Sequence, residues 1–251
     1  MLKVRVVPTL LYRDFGLVKG IGFDSLRAVG SVMQAVKVYN MRDVDELVFL
    51  DVTATRQDRE PDYELIDEIA DECFMPLTVG GGVRSIDHVR RLLQVGADKV
   101  AIGSAAVERP ELVRDAAARF GSQCVVVSVD TTRTSAGWEV VIGSGTRSTG
   151  LDPVETAVRL QALGAGEILL QSIDRDGTMT GYDLQILTAV TAAVTIPVIA
   201  SGGAGTYQDL VDAVVVGDAA AVAAASIFHF TEQTPAEAKK HMKSAGIPVR
   251  I

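Results

Sequence analysis

Pro76-Leu77-Thr78-Val79-Gly80-Gly81-Gly82 returns 121 residues later as Pro197-Val198-Ile199-Ala200-Ser201-Gly202-Gly203. Each copy is a short apolar run followed by small residues, which is typical of a buried strand that leads into a helix. Asp45–Leu50 and Gly166–Gln171 are similar to each other at the same spacing. Because this spacing is nearly half of the chain, we predict two related halves. Alternatively, the two segments are similar only because all strand–glycine–helix units of a barrel are similar, and the chain contains no duplication.

The same pattern of a short apolar run and a longer amphipathic segment occurs eight times. The predicted strands are 4–10, 47–50, 77–79, 100–102, 125–129, 168–170, 198–200 and 219–223. The predicted helices are roughly 30–43, 62–72, 84–95, 110–119, 152–163, 183–193, 206–216 and 235–245. Eight such units favour an α/β fold, a single-domain (β/α)8 TIM barrel over residues 1–251, with half-barrels of roughly 1–121 and 122–251. A doubly wound open sheet is the alternative.

Composition excludes several classes of protein. The chain has 251 residues, 48% of them hydrophobic, and a net charge of −8, which disfavours a nucleic-acid or anionic-membrane partner. Two cysteines, Cys73 and Cys124, exclude a disulfide scaffold and a cysteine-rich metal site. The chain shows neither a signal peptide nor an apolar run long enough to span a membrane. We therefore expect a soluble cytoplasmic protein with no metal and no cofactor.

Small residues follow four of the predicted strands in two matched pairs. Gly80–Gly82 and Gly103–Ala106 follow the third and fourth strands, and Ser201–Gly205 and Ala224–Ile227 follow the seventh and eighth. Glycines allow a backbone to approach an anion, and a following helix presents free N–H groups to it. We predict two phosphate sites half a barrel apart and a ligand with a phosphate at each end. Tight turns alone are the alternative explanation.

Asp130, at the end of the fifth strand, is the best catalytic candidate, although a strand-end aspartate is also common without such a role. Partial desolvation would raise the pKa of a carboxyl there and make it a proton donor or acceptor. In the repeat, Val6–Leu11 aligns with Val125–Asp130 at a spacing of 119, so Leu11 occupies the corresponding position of the first half. A symmetric site would use two carboxylates, and this chain offers one.

Charged residues also mark the opposite face and the first loop. Arg5, Glu46, Lys99 and Glu167 begin or precede strands, where they would form either a polar gate to the barrel interior or ordinary surface salt bridges. From the spacing alone, surface salt bridges are the favoured interpretation. Lys19 lies in a predicted flexible loop, 12–24, which would act as a lid over an anion or leave the lysine solvated. Residues 131–150 predict a hairpin after the fifth strand.

Several motifs together resemble a known family. They are Asp45–Asp51, Thr78–Gly82, Phe120–Gln123, Ser172–Thr178, Ala200–Gly205 and Phe228–Phe230. The chain resembles, over essentially its whole length, the cyclase subunit of imidazole glycerol phosphate synthase. That family is a (β/α)8 barrel paired with a glutaminase, whose ammonia enters at the bottom of the barrel. At the top, the ammonia reacts with a bisphosphorylated ribonucleotide to give imidazole glycerol phosphate, a step of histidine biosynthesis.

The resemblance implies roles for individual residues. One phosphate would be held by Gly82 and Ser104. The other phosphate would be held by Asp176, Gly177, Gly203, Ala225 and Ser226. The ammonia gate would be Arg5, Glu46, Lys99 and Glu167, which reverses the preference for surface salt bridges. Asp98 would contact the glutaminase. Lys19 would be the lysine of the first loop, and Asp130 one of two catalytic aspartates.

Three departures qualify that resemblance. Leu11 replaces the other catalytic aspartate of the family, Gly103 replaces an asparagine and Gln171 a threonine. These differences, together with the sequence of the segments 10–14 and 61–65, suggest a paralogue of the kind that occurs in bacterial surface-polysaccharide loci. There the barrel is expected to relay ammonia for the synthesis of an amidino sugar. The alternatives are a working cyclase of histidine biosynthesis, a related bisphosphate sugar isomerase, and a catalytically silent scaffold that activates its glutaminase.

Overall fold

Eight parallel strands close into a barrel in the computed structural model, which describes residues 3–14, 16–42 and 44–251. Within these described ranges there are twelve strands: β1 (Arg5–Arg13), β2 (Gly16–Ile21), β3 (Asp24–Gly30), β4 (Leu47–Asp51), β5 (Leu77–Gly80), β6 (Lys99–Ile102), β7 (Val125–Thr134), β8 (Gly137–Ile142), β9 (Arg147–Ser148), β10 (Glu167–Ser172), β11 (Val198–Ser201) and β12 (Ala221–Ala224). The barrel order is β1-β4-β5-β6-β7-β10-β11-β12, and β12 pairs with β1 to close it. The predicted TIM barrel is confirmed, and the open sheet is excluded.

Helices connect successive barrel strands and cover them on the outside. They are α1 (Val32–Met41), α2 (Tyr63–Glu72), α3 (Ile86–Gln94), α4 (Ser104–Glu108), α5 (Glu111–Phe120), α6 (Pro153–Ala162), α7 (Leu184–Ala193), α8 (Tyr207–Val215), α9 (Ser226–His229) and α10 (Pro235–Ser244). All eight predicted helices are present. Asp43, the last residue of the first predicted helix, lies outside the described residues. Two short helices, α4 and α9, were not predicted, because four or five residues show no helical periodicity.

Helix starts follow local signals in the sequence. The side chain of Asp152 accepts hydrogen bonds from the backbone of Val154 and Glu155, and Pro153 occupies the first turn of α6. Thr206 and Asp209 form a reciprocal capping box at the start of α8. These caps determine where α6 and α8 begin. They therefore also hold the ends of the loops that lead into these two helices.

Two antiparallel excursions project from the carboxyl end of the barrel. The strand β1 continues past the barrel and pairs with β2, which pairs with β3. The prediction of a flexible loop over 12–24 is therefore wrong for the described residues of that range: they form strand ends and a tight turn. Phe15 lies outside the described residues. The predicted hairpin over 131–150 is confirmed, since β7 extends to Thr134 and pairs with β8, which pairs with β9.

Apolar residues form two layers. The larger layer lies between the strands and the helices. The smaller layer fills the barrel axis with side chains that are at most 3% exposed: Val7, Val48, Ala101, Val126, Leu169, Ile199, Ala221 and Ala223. This inner layer separates the two ends of the barrel. Among the described residues, none of the helices has the length and apolar character needed to cross a bilayer.

Candidate functional site

A cavity of about 190 Å³ opens at the carboxyl ends of the barrel strands. In this fold, that end carries the reactive or binding groups because the loops after the strands meet there. All nine residues predicted to bind phosphate or to act in catalysis line it: Lys19, Gly82, Ser104, Asp130, Asp176, Gly177, Gly203, Ala225 and Ser226. The structure therefore brings together residues that are far apart in the sequence; their roles stay predictions.

One side of the cavity, here called the Gly82 end, contains Gly82 and Ser104. Gly82 has a φ of 70°, and a Cβ there would lie 2.6 Å from the carbonyl oxygen of Arg59, so only glycine fits. Ser104 is the first residue of α4, and its hydroxyl accepts a hydrogen bond of 2.9 Å from the backbone of Gly143. Its proton remains free to donate to an anion in the cavity.

The other side, here called the Gly203 end, contains Asp176, Gly177, Gly203, Ala225 and Ser226. A Cβ on Gly177 would lie 2.0 Å from the carbonyl oxygen of Gly20, so the loop after β10 contacts the first excursion closely. Ser226 is the first residue of α9 and is 5% exposed. Within the part of the chain that the structure describes, its Oγ has no hydrogen-bond partner. A buried unpaired hydroxyl is costly unless a ligand or water satisfies it, which favours a ligand here.

Asp130 lies on β7 and faces the cavity. Burial raises the pKa of its carboxyl to about 6; the hydrogen bond from Ser128 opposes that rise, and the negative charge of Asp176 adds to it. Ser128 Oγ donates to Asp130 Oδ1 over 3.0 Å. A carboxyl with a pKa near 6 holds and releases a proton near neutral pH, as acid–base catalysis requires.

Leucines of the first half form an apolar patch in the wall of the same cavity. Leu11 lies on β1 in register with Leu50 of β4, and both line the cavity. Gly103, where the resembled family has asparagine, has no atom nearer than 3.8 Å to the position of a Cβ, so the missing side chain leaves open space. Gln171 lines the cavity from β10, in register with Asp130. The position of the first half that corresponds to Asp130 is therefore apolar, whereas polar residues of both halves line the rest of the wall.

Lys19 is not a solvated loop residue, and that alternative is wrong. It lies on β2, its side chain is 2% exposed, and its Nζ is 2.7 Å from each carboxylate oxygen of Asp176. In this arrangement the ammonium group and the carboxylate neutralise each other. The backbone of Gly22 also donates to the carbonyl oxygen of Asp176, so the excursion is attached to the Gly203 end at two points.

The other strand-end aspartates have structural partners. Asp51 accepts hydrogen bonds from the backbone of Thr53 and Ala54 and pairs with Arg59 over 3.1 Å. Asp174 accepts from Thr132 Oγ1 and from the backbone of Arg133. These contacts hold the loops after β4 and β10 in place.

Four charged side chains meet at the amino end of the barrel. Arg5 Nη1 lies 2.6 Å from Glu46 and 3.1 Å from Glu167. Lys99 Nζ lies 3.0 Å from Glu46 and 3.1 Å from Glu167. Because Lys99 and Glu167 belong to β6 and β10, which are not neighbours, these contacts span the barrel axis. The alternative of surface salt bridges scattered at strand entrances does not fit this geometry.

The network is largely withdrawn from water. The exposed fractions of the side chains are 2% for Glu46, 14% for Glu167, 16% for Lys99 and 23% for Arg5. Burial alone would lower the pKa of Arg5, but the carboxylates of Glu167 and Glu46 outweigh burial and raise it. Thr78 Oγ1 also donates to Glu46 over 2.8 Å. The two cations and two anions balance, and the apolar inner layer lies behind them.

Asp98, the predicted contact to a glutaminase, lies on the same face as this network. It directly precedes Lys99, it is exposed, and its carboxylate accepts a hydrogen bond of 2.8 Å from the backbone of Leu77. Its contact to a partner stays a prediction.

Sequence reasoning missed several polar residues of the cavity wall, among them Thr9, Arg56, Arg84 and Ser128. Side chains along a strand point alternately to its two faces. Thr9 and Ser128 could therefore have been placed on the inner faces of β1 and β7, because they lie two residues before Leu11 and Asp130. No comparable signal marks the two arginines, because they lie in the loops after β4 and β5.

The chain matches the family model described as histidine biosynthesis protein over residues 5–234. This match covers most of the barrel, including both ends of the cavity and the four charged residues. The chain belongs to the histidine biosynthesis protein family. Its family and its TIM barrel agree with the resemblance to a cyclase subunit, whereas its assignment to a divergent branch stays a proposal.

Proposed function

We propose that this barrel receives ammonia from a glutaminase partner at its amino end, conducts it to its carboxyl end and binds a bisphosphorylated ligand there. The resemblance to the cyclase subunit of imidazole glycerol phosphate synthase supplies the reaction type. The observation that carries the proposal is the network of Arg5, Glu46, Lys99 and Glu167, which spans the axis directly below the apolar layer.

The charge and polarity along the axis suit a neutral molecule. Ammonium would lose its hydration in the layer that contains Val48, Val126 and Leu169, and an unpaired buried charge is costly. Ammonia carries no charge and avoids that cost. The paired entrance leaves no net charge to hold ammonium, so we infer that nitrogen enters as ammonia when the network opens.

The cavity wall supports altered or lost cyclase chemistry. In the resembled family two aspartates act, and here Leu11 stands where one of them is expected. A leucine cannot transfer a proton, and loss of one acid–base group lowers a rate by about 10²–10⁴-fold. We therefore favour a paralogue that relays ammonia to an amidino-sugar acceptor, with Asp130, assisted by Lys19, as the remaining acid–base group.

A working cyclase is the second candidate, because the pKa of Asp130, raised to about 6 by burial, suits proton transfer near neutral pH. Cyclisation of the bisphosphorylated ribonucleotide with saturating ammonium salt separates the two. The relay predicts turnover at least about 10²-fold below that of a cyclase with both aspartates. Near-normal turnover would establish the cyclase instead.

The partner is tested separately from the chemistry. The chain is mixed with a glutaminase subunit of the imidazole glycerol phosphate synthase type, and both complex formation and glutamine hydrolysis are measured. We expect a complex that Asp98→Ala weakens, and hydrolysis that rises when the bisphosphorylated ligand is added. A chain that binds no glutaminase contradicts the relay and favours the isomerase; a stimulated glutaminase without ligand binding favours the scaffold.

A further inference from the structure

The two ends of the cavity differ in charge. At the Gly203 end, Lys19 and Asp176 neutralise each other, and the remaining candidate groups are backbone N–H groups and the Ser226 hydroxyl. Such a set fits a single phosphate group, which backbone N–H groups and one hydroxyl bind well. The Gly82 end has its own glycine and its own hydroxyl, on Ser104, and it has arginines as well.

Two arginines line the cavity at the Gly82 end. Arg56 lies in the turn after β4, and its guanidinium donates to the carbonyl oxygen of Ser144, which is a neutral acceptor. Arg84 lies two residues after Gly82, its side chain is 34% exposed, and it pairs with Asp58. The Asp58 side chain is itself 87% exposed, so a bound anion can replace it on Arg84 at little cost in buried charge.

The surroundings leave positive charge at this end. Arg109 donates to the carbonyl oxygen of Arg84, and Arg147 pairs with Glu108, which also lines the cavity. The carboxylates that line the cavity at this end, Asp51 and Glu108, are paired with Arg59 and Arg147, which lie outside its wall. Arg56 and Arg84 are therefore the cationic side chains of this wall whose present partners, a neutral carbonyl and an exposed carboxylate, an anion can replace.

We propose that the Gly82 end binds a diphosphate, with one phosphoryl group at Gly82 and Ser104 and the next between Arg56 and Arg84. This inference rests on the proposed function, in which the cavity takes a ligand phosphorylated at both ends. Arginine suits this role because its planar group donates two parallel hydrogen bonds to phosphate oxygens. The ligand class is then a compound with a diphosphate group at the Gly82 end and a single phosphate at the Gly203 end, rather than one with a phosphate monoester at each end.

Isothermal titration calorimetry with inorganic pyrophosphate and inorganic orthophosphate tests this proposal on the full chain. We expect pyrophosphate to bind at least about tenfold more tightly than orthophosphate. Arg56→Ala and Arg84→Ala each remove most of that preference while orthophosphate affinity stays within about twofold. Arg56→Lys keeps the positive charge but loses the planar guanidinium group, so it should retain more of the pyrophosphate preference than Arg56→Ala but less than the wild-type chain.

Arg27→Ala is the matched control, because Arg27 is exposed on β3 and is not part of the cavity wall. It makes the same change in net charge and should leave the preference intact. Equal affinity of the wild-type chain for the two anions overturns the proposal, and so does an Arg27→Ala variant that loses as much as Arg56→Ala. If one of these results is found and the chain still binds and stimulates a glutaminase, the diphosphate inference is wrong and the proposed function is unaffected. If the chain prefers pyrophosphate but binds no glutaminase, the proposed function is wrong and the diphosphate inference is unaffected.

Discussion

The two halves that the sequence repeat predicts differ in where they place charge. At a spacing of 121, Glu46 corresponds to Glu167 and Lys99 to Ala220; at a spacing of 119, Arg5 corresponds to Cys124. The first half therefore supplies three of the four charges at the amino end. At the carboxyl end the two halves differ at one pair of inward positions, because Asp130 of the second half corresponds to Leu11 of the first, whereas Ser128 corresponds to Thr9 and both carry a hydroxyl.

This difference indicates which features a repeated fold keeps. The glycine that follows β5 in the first half recurs after β11 in the second half. A Cβ at Gly82 or at Gly203 would overlap a backbone oxygen. The inward side chains are free of that constraint and have diverged. We infer that most of the entrance charge lies in the first half, whereas the cavity uses residues of both halves with its candidate acid–base carboxyl in the second.

The largest expected effect is on the rate of cyclisation, when Leu11 is replaced by the aspartate found at the corresponding position, 130, of the second half. If the cyclase reaction is limited by the missing carboxyl, Leu11→Asp should raise cyclisation with ammonium salt by about 10²-fold or more. Leu11→Asn is the matched control, since it is polar and of similar size but transfers no proton. A gain that Leu11→Asn reproduces, or no gain at all, would contradict this account of the cavity.

The entrance gives the next prediction through its related glutamates. Glu46 is 2% exposed and contacts Arg5, Lys99 and Thr78, so Glu46→Ala leaves two partly buried cations with one carboxylate and should cost about 3 kcal/mol. Glu167→Ala should cost less, because Ile199 replaces Thr78 in the second half and Glu167 is more exposed. The free energy of unfolding in urea measures both.

An exposed glutamate provides the control for that measurement. Glu60 pairs with Arg91 and is 54% exposed, so Glu60→Ala should cost less than about 1 kcal/mol. Equal losses for Glu46 and Glu60 would show that the network adds no more than a surface pair.

The raised pKa of Asp130, about 6, predicts a pH dependence of stability. Between its unfolded pKa of about 4 and its folded pKa the native state binds more protons than the unfolded state, so this group lowers stability as pH rises. Asp130→Asn should therefore gain about 2–3 kcal/mol relative to wild type between pH 4 and pH 8. Urea unfolding at both values measures this, and a difference that does not change with pH would refute the buried carboxyl.

The smallest effects concern the two related hydroxyls. Ser128→Ala removes the hydrogen bond to Asp130 and should cost about 1 kcal/mol at pH 8, where the carboxylate is charged, and less at pH 4. Thr9 Oγ1 is buried without a partner among the described residues, so Thr9→Val should be neutral or stabilise slightly. Thermal unfolding of both variants tests the contrast; a larger loss for Thr9→Val would reverse it.

Much of the fold and part of the site could be predicted from the sequence. Repeated apolar runs and glycines predicted the barrel, and the glycine loops predicted the two ends of the cavity. The first excursion could not be recognised, because its strands, β2 and β3, are short and its outer face is exposed, so that it lacks a regular apolar pattern. Lys19 was consequently taken for a loop residue, although it is buried against a residue 157 positions away.

The sequence by itself determined the barrel, its repeat, and the fact that leucine stands where a second aspartate would stand. These are local or periodic properties of the chain, and backbone geometry dictates them. Only the tertiary structure decided which charges neutralise each other, because Arg5 meets Glu167, and Lys19 meets Asp176, only after the barrel closes. It also decided the protonation of Asp130, since burial and neighbouring charge depend on side chains from several strands.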